Sequence, residues 1–464
     1  MKTRTRRVLV PALAFLLAAC SAQVAAPRPS AAPEQRPGPT ATPRPTNAAN
    51  DLVYLRSVGS GGVTNILAID ARTGETLRTL ADGALSLDRS TLYSPEQVNG
   101  ATQTVVHVVD LVTARELRSF TLEGVYKSIW TDSGRSGLSR DGRHLVLTSS
   151  PVKRDGDWVT RFAVLDTSSG ATEATLELKE QSSYGFAAMS PDGRSLYLNQ
   201  FGEGATKIRV FDVPSWTLLP TGATMGVSGL VQNGFRTPGV FSPDGRWMFS
   251  VDAGSQTTNC TSTDGPRCTP NGTPPALLAL DLVSRRAFTV ALPFEQRSSD
   301  FEKYLLWSVA VASDGGTVFA INPALGVIDE VDARQLTLRR TAQITVSRTD
   351  QGPLATIGRF FFPVADAKRY ITGGALLSPD GVRIYAAAYK GVSVVNAADL
   401  SSRAVWQTDG EFDALALTPD GERLYAVSNA NAKIVIIGTR DGAKLGELRI
   451  PAFGQAIVRI DSAR

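Results

Sequence analysis

The chain has 464 residues, of which 42% are hydrophobic and 20% are charged, a composition typical of a globular protein with a sizeable core. Its formal net charge of +4 comes from an N-terminal segment that carries Lys2, Arg4, Arg6 and Arg7 and no acid. Beyond that segment, lysines and arginines equal the 44 acids in number and form no concentrated basic run. A nucleic-acid partner is therefore excluded, since a polyanion is bound through a dense basic surface.

Residues 1–19 are predicted to be a signal peptide. A cationic start is followed by an apolar run over 8–19 that is too short to span a bilayer. The run ends in LAAC at 17–20, which resembles the lipobox of bacterial lipoproteins. The resemblance implies cleavage before Cys20 and acylation of its thiol. It also implies an extracytoplasmic protein that is lipid-anchored to a membrane of the cell envelope. A plain secretory signal that happens to contain a cysteine is the alternative.

The rest of the chain divides into a tether and one large domain. Residues 20–50 comprise Cys20 and a segment rich in Ala, Pro and Thr, which lacks the apolar residues needed to fold. We expect this segment to be a disordered, largely extended spacer. Residues 51–464 contain the apolar runs and the repeats, and they are predicted to form the folded domain.

A tight turn recurs along this domain. It consists of Ser or Thr, usually followed by Pro, and then Asp-Gly. Proline presets φ at the second turn position, and glycine accepts the positive φ that closes a hairpin. Apolar runs enter and leave each copy, so each copy predicts a hairpin between two strands. The copies are Ser139–Gly142, Ser190–Gly193, Ser242–Gly245, Ser313–Gly315, Ser378–Gly381 and Thr418–Gly421, with a degenerate copy at Leu87–Ser90.

The second repeated pattern is a strand that ends in Asp, followed by a polar turn and another strand. An Asp side chain at a strand end accepts hydrogen bonds from backbone N–H groups of the turn. Such capping explains the acids without calcium, because one acid per turn cannot supply the roughly six to eight oxygens that Ca²⁺ requires. The copies end at Asp70, Asp110, Asp166, Asp212, Asp281 and Asp332, and at Asn396 and Gly438 in the last two.

The two patterns alternate strictly, with eight strand-Asp elements separated by seven turns at intervals of about 40 to 70 residues. This order predicts four-stranded antiparallel units, with strands A to D running from the inside outwards, which are typical of propeller blades. The repeat resembles YVTN-type and WD-like (SPDG-repeat) β-propellers of bacterial surface and periplasmic proteins. We predict an all-β propeller of eight blades. Seven blades is the alternative, if one divergent unit is an insertion.

The ends of the domain predict how the ring closes. Residues 51–55 match strand B of a blade that lacks its strand A, and residues 455–460 match a lone strand A. A propeller that pairs its last strand with its first blade has this stagger, because closure removes free sheet edges. The C-terminal strand is therefore expected to complete the N-terminal blade.

The two cysteines beyond Cys20 are predicted to form a disulfide. Cys260 and Cys268 flank a short polar segment of a Gly- and Pro-rich insertion, and disulfides persist outside the cytoplasm. Two reduced surface thiols are the alternative. A metal pair is disfavoured, because no His or further Cys lies nearby in the sequence.

The sequence favours a binding role over catalysis. His107 and His144 both lie in predicted strands, and a strand histidine is more often structural than catalytic. A lactonase-like or other propeller hydrolase is the alternative, and it would need acids, histidine and arginine around the channel that strand A lines. The predicted A strands are instead small and apolar. Residues 68–74 are similar to the repeat of quinoprotein dehydrogenases, but they occur once. We predict no cofactor, no metal and no enzyme activity.

A binding surface is predicted on the face that carries the long B–C and D–A loops. Function resides on variable loops of a rigid scaffold, and aromatic and Arg side chains are enriched at binding hot spots. We expect a protein or glycan partner and a scaffold or ligand-binding role in the cell envelope. The alternative is that these aromatics pack against their own loops. The candidates are Trp130, Tyr184, Phe235, Arg236, Trp307, Arg359, Phe360, Phe361, Phe362 and Tyr370.

Overall fold

Strands and tight turns dominate the structure, a computed structural model. All the described residues belong to the unit Asn47–Arg464. Cys20 and the segments 1–19 and 21–49 lie outside them. The described residues are 50–59, 63–98, 102–129, 137–202, 205–220, 237–253, 258–260, 268–270, 274–293, 303, 306–346, 374–388, 390–451 and 453–462.

The predicted Ser-Pro-Asp-Gly turns close hairpins between strands A and B of a blade. The Ser190 hydroxyl donates to Asp192 Oδ1 at 2.6 Å and accepts from the backbone N–H of Ser195 at 2.9 Å. Gly193 takes a φ of 72°, the left-handed region that favours glycine. The same pair of hydroxyl bonds recurs at Ser86, Ser139, Ser242, Ser378 and Thr418.

The strand-end acids cap their turns, as predicted. Asp70 Oδ1 accepts from the backbone N–H groups of Arg72 at 2.8 Å and Thr73 at 2.9 Å. At Asp166, the hydroxyls of Ser168 and Ser169 and their backbone N–H groups hold the pKa of the carboxyl well below its usual range. Hydrogen bonds within each turn therefore account for the recurring shape of these C–D turns.

Blades 1 to 4 follow the predicted strand order, and blade 3 carries one additional strand, β10, beside β11. Blade 1 contains β1 (Leu52–Val58), β2 (Thr64–Asp70) and β3 (Thr76–Ala81). Blade 2 contains β4 (Ala84–Leu85), β5 (Thr91–Gln97), β6 (Gln103–Asp110) and β7 (Glu116–Glu123). Blade 3 contains β8 (Lys127–Ser128), β9 (His144–Thr148), β10 (Val152–Arg154), β11 (Asp157–Asp166) and β12 (Thr172–Glu180). Blade 4 contains β13 (Ser183–Met189), β14 (Ser195–Gly202), β15 (Ala205–Asp212) and β16 (Thr217–Leu218).

Blades 5 to 8 repeat the pattern, and blade 5 carries an inserted two-stranded ribbon. Blade 5 contains β17 (Val240–Phe241), β18 (Trp247–Asp252), β21 (Ala276–Asp281) and β22 (Arg286–Ala291), with the ribbon β19 (Thr258–Cys260) and β20 (Cys268–Pro270). Blade 6 contains β23 (Ser308–Val311), β24 (Thr317–Asn322), β25 (Val327–Asp332) and β26 (Thr337–Gln343). Blade 7 contains β27 (Ala375–Leu377), β28 (Arg383–Ala387), β29 (Val392–Asn396) and β30 (Ser402–Trp406). Blade 8 contains β31 (Ala414–Leu417), β32 (Arg423–Ser428), β33 (Lys433–Gly438) and β34 (Lys444–Arg449).

The last strand completes the first blade. Strand β35 (Phe453–Asp461) pairs antiparallel with β1, from Leu52 opposite Asp461 to Val58 opposite Phe453. Blade 1 thereby acquires its inner strand from the C-terminal end of the domain. The eight-bladed propeller and its closing strand are confirmed, and the seven-bladed alternative is wrong.

The core lies between the blades. Alternate side chains of each blade face opposite neighbours, because successive residues of a strand point to opposite faces of its sheet. Eight clusters of buried apolar residues result, one for each pair of adjacent blades. Strands B and C of a blade are therefore buried on both faces, which explains continuous apolar runs such as Ile434–Ile437 in β33.

None of the described segments forms a helix with the length and apolar character required to cross a membrane.

Candidate functional site

A cavity of about 380 Å³ occupies the centre of the ring, and every one of the eight blades contributes to its wall. Its volume falls in the range of small-molecule sites. In order from blade 1, the lining residues come from 456–458, 85–89, 137–140, 186–191, 237–245, 307–309, 374–376 and 414–415.

The wall of this cavity, which we call the channel, combines apolar and polar surface. Phe186, Val240, Phe241, Leu376 and Ile457 give it large hydrophobic side chains. The hydroxyl groups of Ser86, Ser139, Thr237 and Ser308 contribute polar surface. The low charge predicted for the A strands is confirmed for the described lining, but several of their side chains are large rather than small. Among the described lining residues there is no acid, histidine or cysteine.

The charged groups in the lining are Arg89 and Arg140. Each lies in an A–B turn, Arg89 in blade 2 and Arg140 in blade 3, so both stand at the turn face of the channel. The aliphatic part of Arg140 packs against Gly245, where an added Cβ would lie only 2.5 Å from Arg140 Cδ. The Gly245 position therefore has to stay without a side chain for Arg140 to lie there.

Arg89 has an unusual electrostatic setting. Its carbonyl oxygen accepts a 2.6 Å hydrogen bond from Arg459 Nη1. Protein on several sides of Arg89 reduces its solvation, and this effect, with the charge of Arg459, lowers its pKa. Arg89 remains exposed to water in the channel and stays protonated at neutral pH. The turn face of the channel therefore carries positive charge.

Sequence reasoning missed both arginines, although the repeat contained a signal. In the Ser139 turn, Arg140 stands where most copies have proline. In the degenerate turn of blade 2, Arg89 stands where the other copies have glycine, and it adopts a φ of 57° there. An arginine is rarely found in the left-handed region without a reason. Departures from the repeat at these A–B turns therefore mark the charged positions of the described channel lining.

Trp307 was predicted to be part of the exposed binding face, and the structure corrects this. Its side chain is 1% exposed and packs with Phe249, Val251 and Val309 in the cluster between blades 5 and 6. It also borders the channel, and its Nε1–H has no acceptor within the described part of the chain. Trp307 is buried because it immediately precedes β23, an inner strand covered by both neighbouring blades.

Tyr184 is likewise a core residue rather than an exposed one. It lies in β13, is 2% exposed and packs between blades 3 and 4. Its hydroxyl donates to Glu180 Oε2 at 2.7 Å, and burial together with this carboxylate raises its pKa. The sequence placed Tyr184 in a loop, but β13 extends back to Ser183 and carries it into the core.

The remaining residues of the predicted binding face lie outside the described part of the chain, so that face stays a hypothesis. They are Trp130, Phe235, Arg236, Arg359, Phe360, Phe361, Phe362 and Tyr370. Cys20 lies outside it as well.

The other predicted residues are not part of the described channel lining. Cys260 and Cys268 occupy directly opposed positions of the β19–β20 ribbon, and their disulfide stays a prediction. His107 in β6 places its two ring nitrogens 2.9 Å from Glu116 and 3.1 Å from Glu96. His144 in β9 lies 2.6 Å from Glu173. Both histidines are strand residues, as predicted, engaged with carboxylates on the sheet surface.

Comparisons with known proteins support no family assignment. No family model matches the chain, and no curated protein does. Among solved structures, dihydro-heme d1 dehydrogenase NirN is 12% identical, with a TM-score of 0.47 over 91% of this chain and 77% of that one. AztD from Citrobacter koseri is 11% identical, with a TM-score of 0.45 over 88% of this chain and 96% of that one. A Kuenenia stuttgartiensis hydrazine synthase is 17% identical, with a TM-score of 0.39 over 77% of this chain and 98% of that one. At this level of likeness, no activity or ligand is transferred from these proteins.

Proposed function

We propose that the protein is a non-catalytic, lipid-anchored binding module of the cell envelope whose ligand site is the central channel. The observation that carries this proposal is the channel itself, a cavity of about 380 Å³ to which all eight blades contribute. Its wall combines apolar side chains with hydroxyl and guanidinium groups, as in small-molecule sites that bury most of a ligand and orient it with a few polar groups. The rigid ring keeps this wall preformed, which reduces the entropy lost on binding.

Hydrolysis is less well supported by the same wall. General acid–base chemistry needs a group that exchanges protons near neutral pH, usually His, Glu or Asp. The described lining offers hydroxyls and arginines, and an arginine keeps its proton in this range. His107 and His144 already lie beside carboxylates on blade surfaces.

Occlusion of the channel tests this function. Ala456 is a small residue of β35 in the channel wall, and Ala456→Phe should fill part of the cavity. We expect wild-type protein, purified from its own envelope fraction, to retain a small molecule in native mass spectrometry. The variant should retain at least about tenfold less, a loss of about 1.4 kcal/mol in binding.

The matched control for this experiment is Thr79→Phe, which adds the same aromatic ring at an exposed position of β3, the outer strand of the same blade. It should retain the small molecule like the wild type. Equal retention by Ala456→Phe would overturn a channel site, as would wild-type protein that carries no small molecule.

The lipid anchor is tested separately through Cys20. We expect an alkyne fatty acid fed to the cells to label the wild type, and Cys20→Ser to lose at least about tenfold of that label and to leave the membrane fraction. Cys260→Ser, which removes a thiol of the β19–β20 ribbon, should keep the label. Label that persists in Cys20→Ser would contradict the anchor and leave the channel proposal standing.

A further inference from the structure

The channel is chemically different at its two ends. Its lining residues at the turn face include Arg89 and Arg140 in the A–B turns. At the opposite end, where the chain enters the inner strands, the described lining residues are uncharged and include Thr237, Trp307 and Gly374. Apolar side chains of the inner strands line the wall in between. Among the described lining residues, the positive charges therefore lie at the turn face.

Among the described residues, no salt bridge pairs Arg89 with a carboxylate. Arg459, whose charge acts on Arg89, is itself a cation and is paired with Asp461 at 2.5 Å. Within the described part of the chain, the charge of Arg89 therefore lacks a paired anion. The reduced solvation of the Arg89 side chain strengthens its attraction for an anion relative to bulk water.

The charge of Arg140 is compensated in part. It interacts with Asp244, in the A–B turn of blade 5. The Asp244 carboxylate is already engaged, since Oδ1 accepts from the Ser242 hydroxyl at 2.5 Å and from the backbone N–H of Arg246 at 3.1 Å. Arg89 is therefore the stronger anion-binding group of the two, and Arg140 the weaker one.

Resting on the proposed function, we infer that the channel ligand is an amphipathic organic anion: an aliphatic or aromatic body with one carboxylate. The carboxylate would meet the guanidinium of Arg89, whose planar donors match carboxylate geometry. The body would lie along the inner strands and lose its contact with water. A cation of the same shape would meet like charge at the turn face and is rejected.

Isothermal titration of the full mature protein with three ten-carbon probes tests this inference. The probes are decanoate, decanol and decyltrimethylammonium, all below their micellar concentrations. We expect decanoate to bind most tightly and decyltrimethylammonium most weakly. Arg89→Gln should weaken decanoate binding by about tenfold or more through loss of a charge-assisted contact, and Arg140→Gln by less. Neither variant should change the affinity for decanol.

A matched control removes a cation from the same face outside the channel. Arg72 is exposed in the C–D turn of blade 1, and Arg72→Gln should leave all three affinities unchanged. Ala456→Phe should weaken decanoate and decanol alike. Decanoate affinity unaffected by Arg89→Gln would overturn the inference, and so would decyltrimethylammonium that binds as tightly as decanoate. A co-purified small molecule without negative charge would also overturn it, while the channel would stand as the binding site.

Discussion

Replacing Asp329 by asparagine is expected to stabilise the folded protein at neutral pH by up to about 3 kcal/mol. Asp329 lies in β25, is fully buried and shares a face with Val327 and Val331 in the core between blades 5 and 6. Its Oδ1 accepts from the Thr341 hydroxyl at 2.5 Å, whereas its Oδ2 has no hydrogen-bond partner among the described residues. Burial raises the pKa of this carboxyl from 3.8 to about 6.

The sign of the pH dependence follows from this shift. Between about pH 4 and pH 6 the folded protein holds a proton on Asp329 that the unfolded chain has released. The contribution of Asp329 to the free energy of unfolding therefore decreases as pH rises through this window, and it stays low above it. Asparagine remains neutral throughout, so its advantage over Asp329 should be small at pH 4 and full at pH 7.

Urea unfolding at pH 4, 5, 6 and 7 measures this effect. The unfolding midpoints of Asp329→Asn and wild type should diverge with rising pH, and Asp155→Asn serves as the control. Asp155 is exposed and lies 3.5 Å from Lys179. Its replacement should leave the wild-type pH profile in place. Parallel profiles for Asp329→Asn and wild type would show that the pKa of Asp329 is the same in the folded and unfolded protein, which would contradict the shift caused by burial.

Replacing Asp51 by alanine should cost about 3–5 kcal/mol of stability, because it breaks the ion pair beside the ring closure. The Asp51 carboxylate is fully buried just before β1. It accepts from Arg423 Nε at 2.9 Å and Nη2 at 3.0 Å, and from the Tyr425 hydroxyl at 2.6 Å. These bonds join blade 8 to the first strand of the ring. Removal of Asp51 leaves Arg423 and Tyr425 without this partner.

The urea midpoint of Asp51→Ala should fall far below that of Asp110→Ala, a single-blade control. Asp110 caps its own C–D turn by accepting from Thr113 at the exposed surface, so its loss should cost much less stability. Hydrogen exchange of β1 and β35 should also accelerate in Asp51→Ala, because these strands close the ring. Equal destabilisation by the two alanine variants would contradict a special role for the ion pair.

Some features of the channel could be predicted from the sequence, and others could not. The nearly uncharged A strands could be predicted from the repeat, because each one lies immediately before its A–B turn. The two channel arginines were not singled out, since the turn with Arg140 was counted as an ordinary copy of the repeat and the turn with Arg89 as a degenerate one. Only the closed ring brings blades 2 and 3 together with the other six around one cavity.

Two aromatic residues of the predicted binding face, in contrast, were predicted to be exposed and are buried. Tyr184 and Trp307 were placed on an exposed face because they occur in long connections between repeats. Burial in a propeller depends on whether a residue lies on an inner strand between two neighbouring blades. Tyr184 at the start of β13 and Trp307 immediately before β23 meet that condition, so both side chains are core residues.

The sequence by itself determined the eight-bladed ring and its closing strand. The reason is local: Ser–Asp hydrogen bonds, a positive-φ glycine and strand-end acids act within a few residues, and they recur at every blade. Only the tertiary structure decided which charges are compensated. Glu330 is paired with Arg339 and Arg340, whereas its neighbour Asp329 faces an apolar core. Both faces of a blade are buried, so a strand's alternation does not tell which polar residue will find a partner on the next blade.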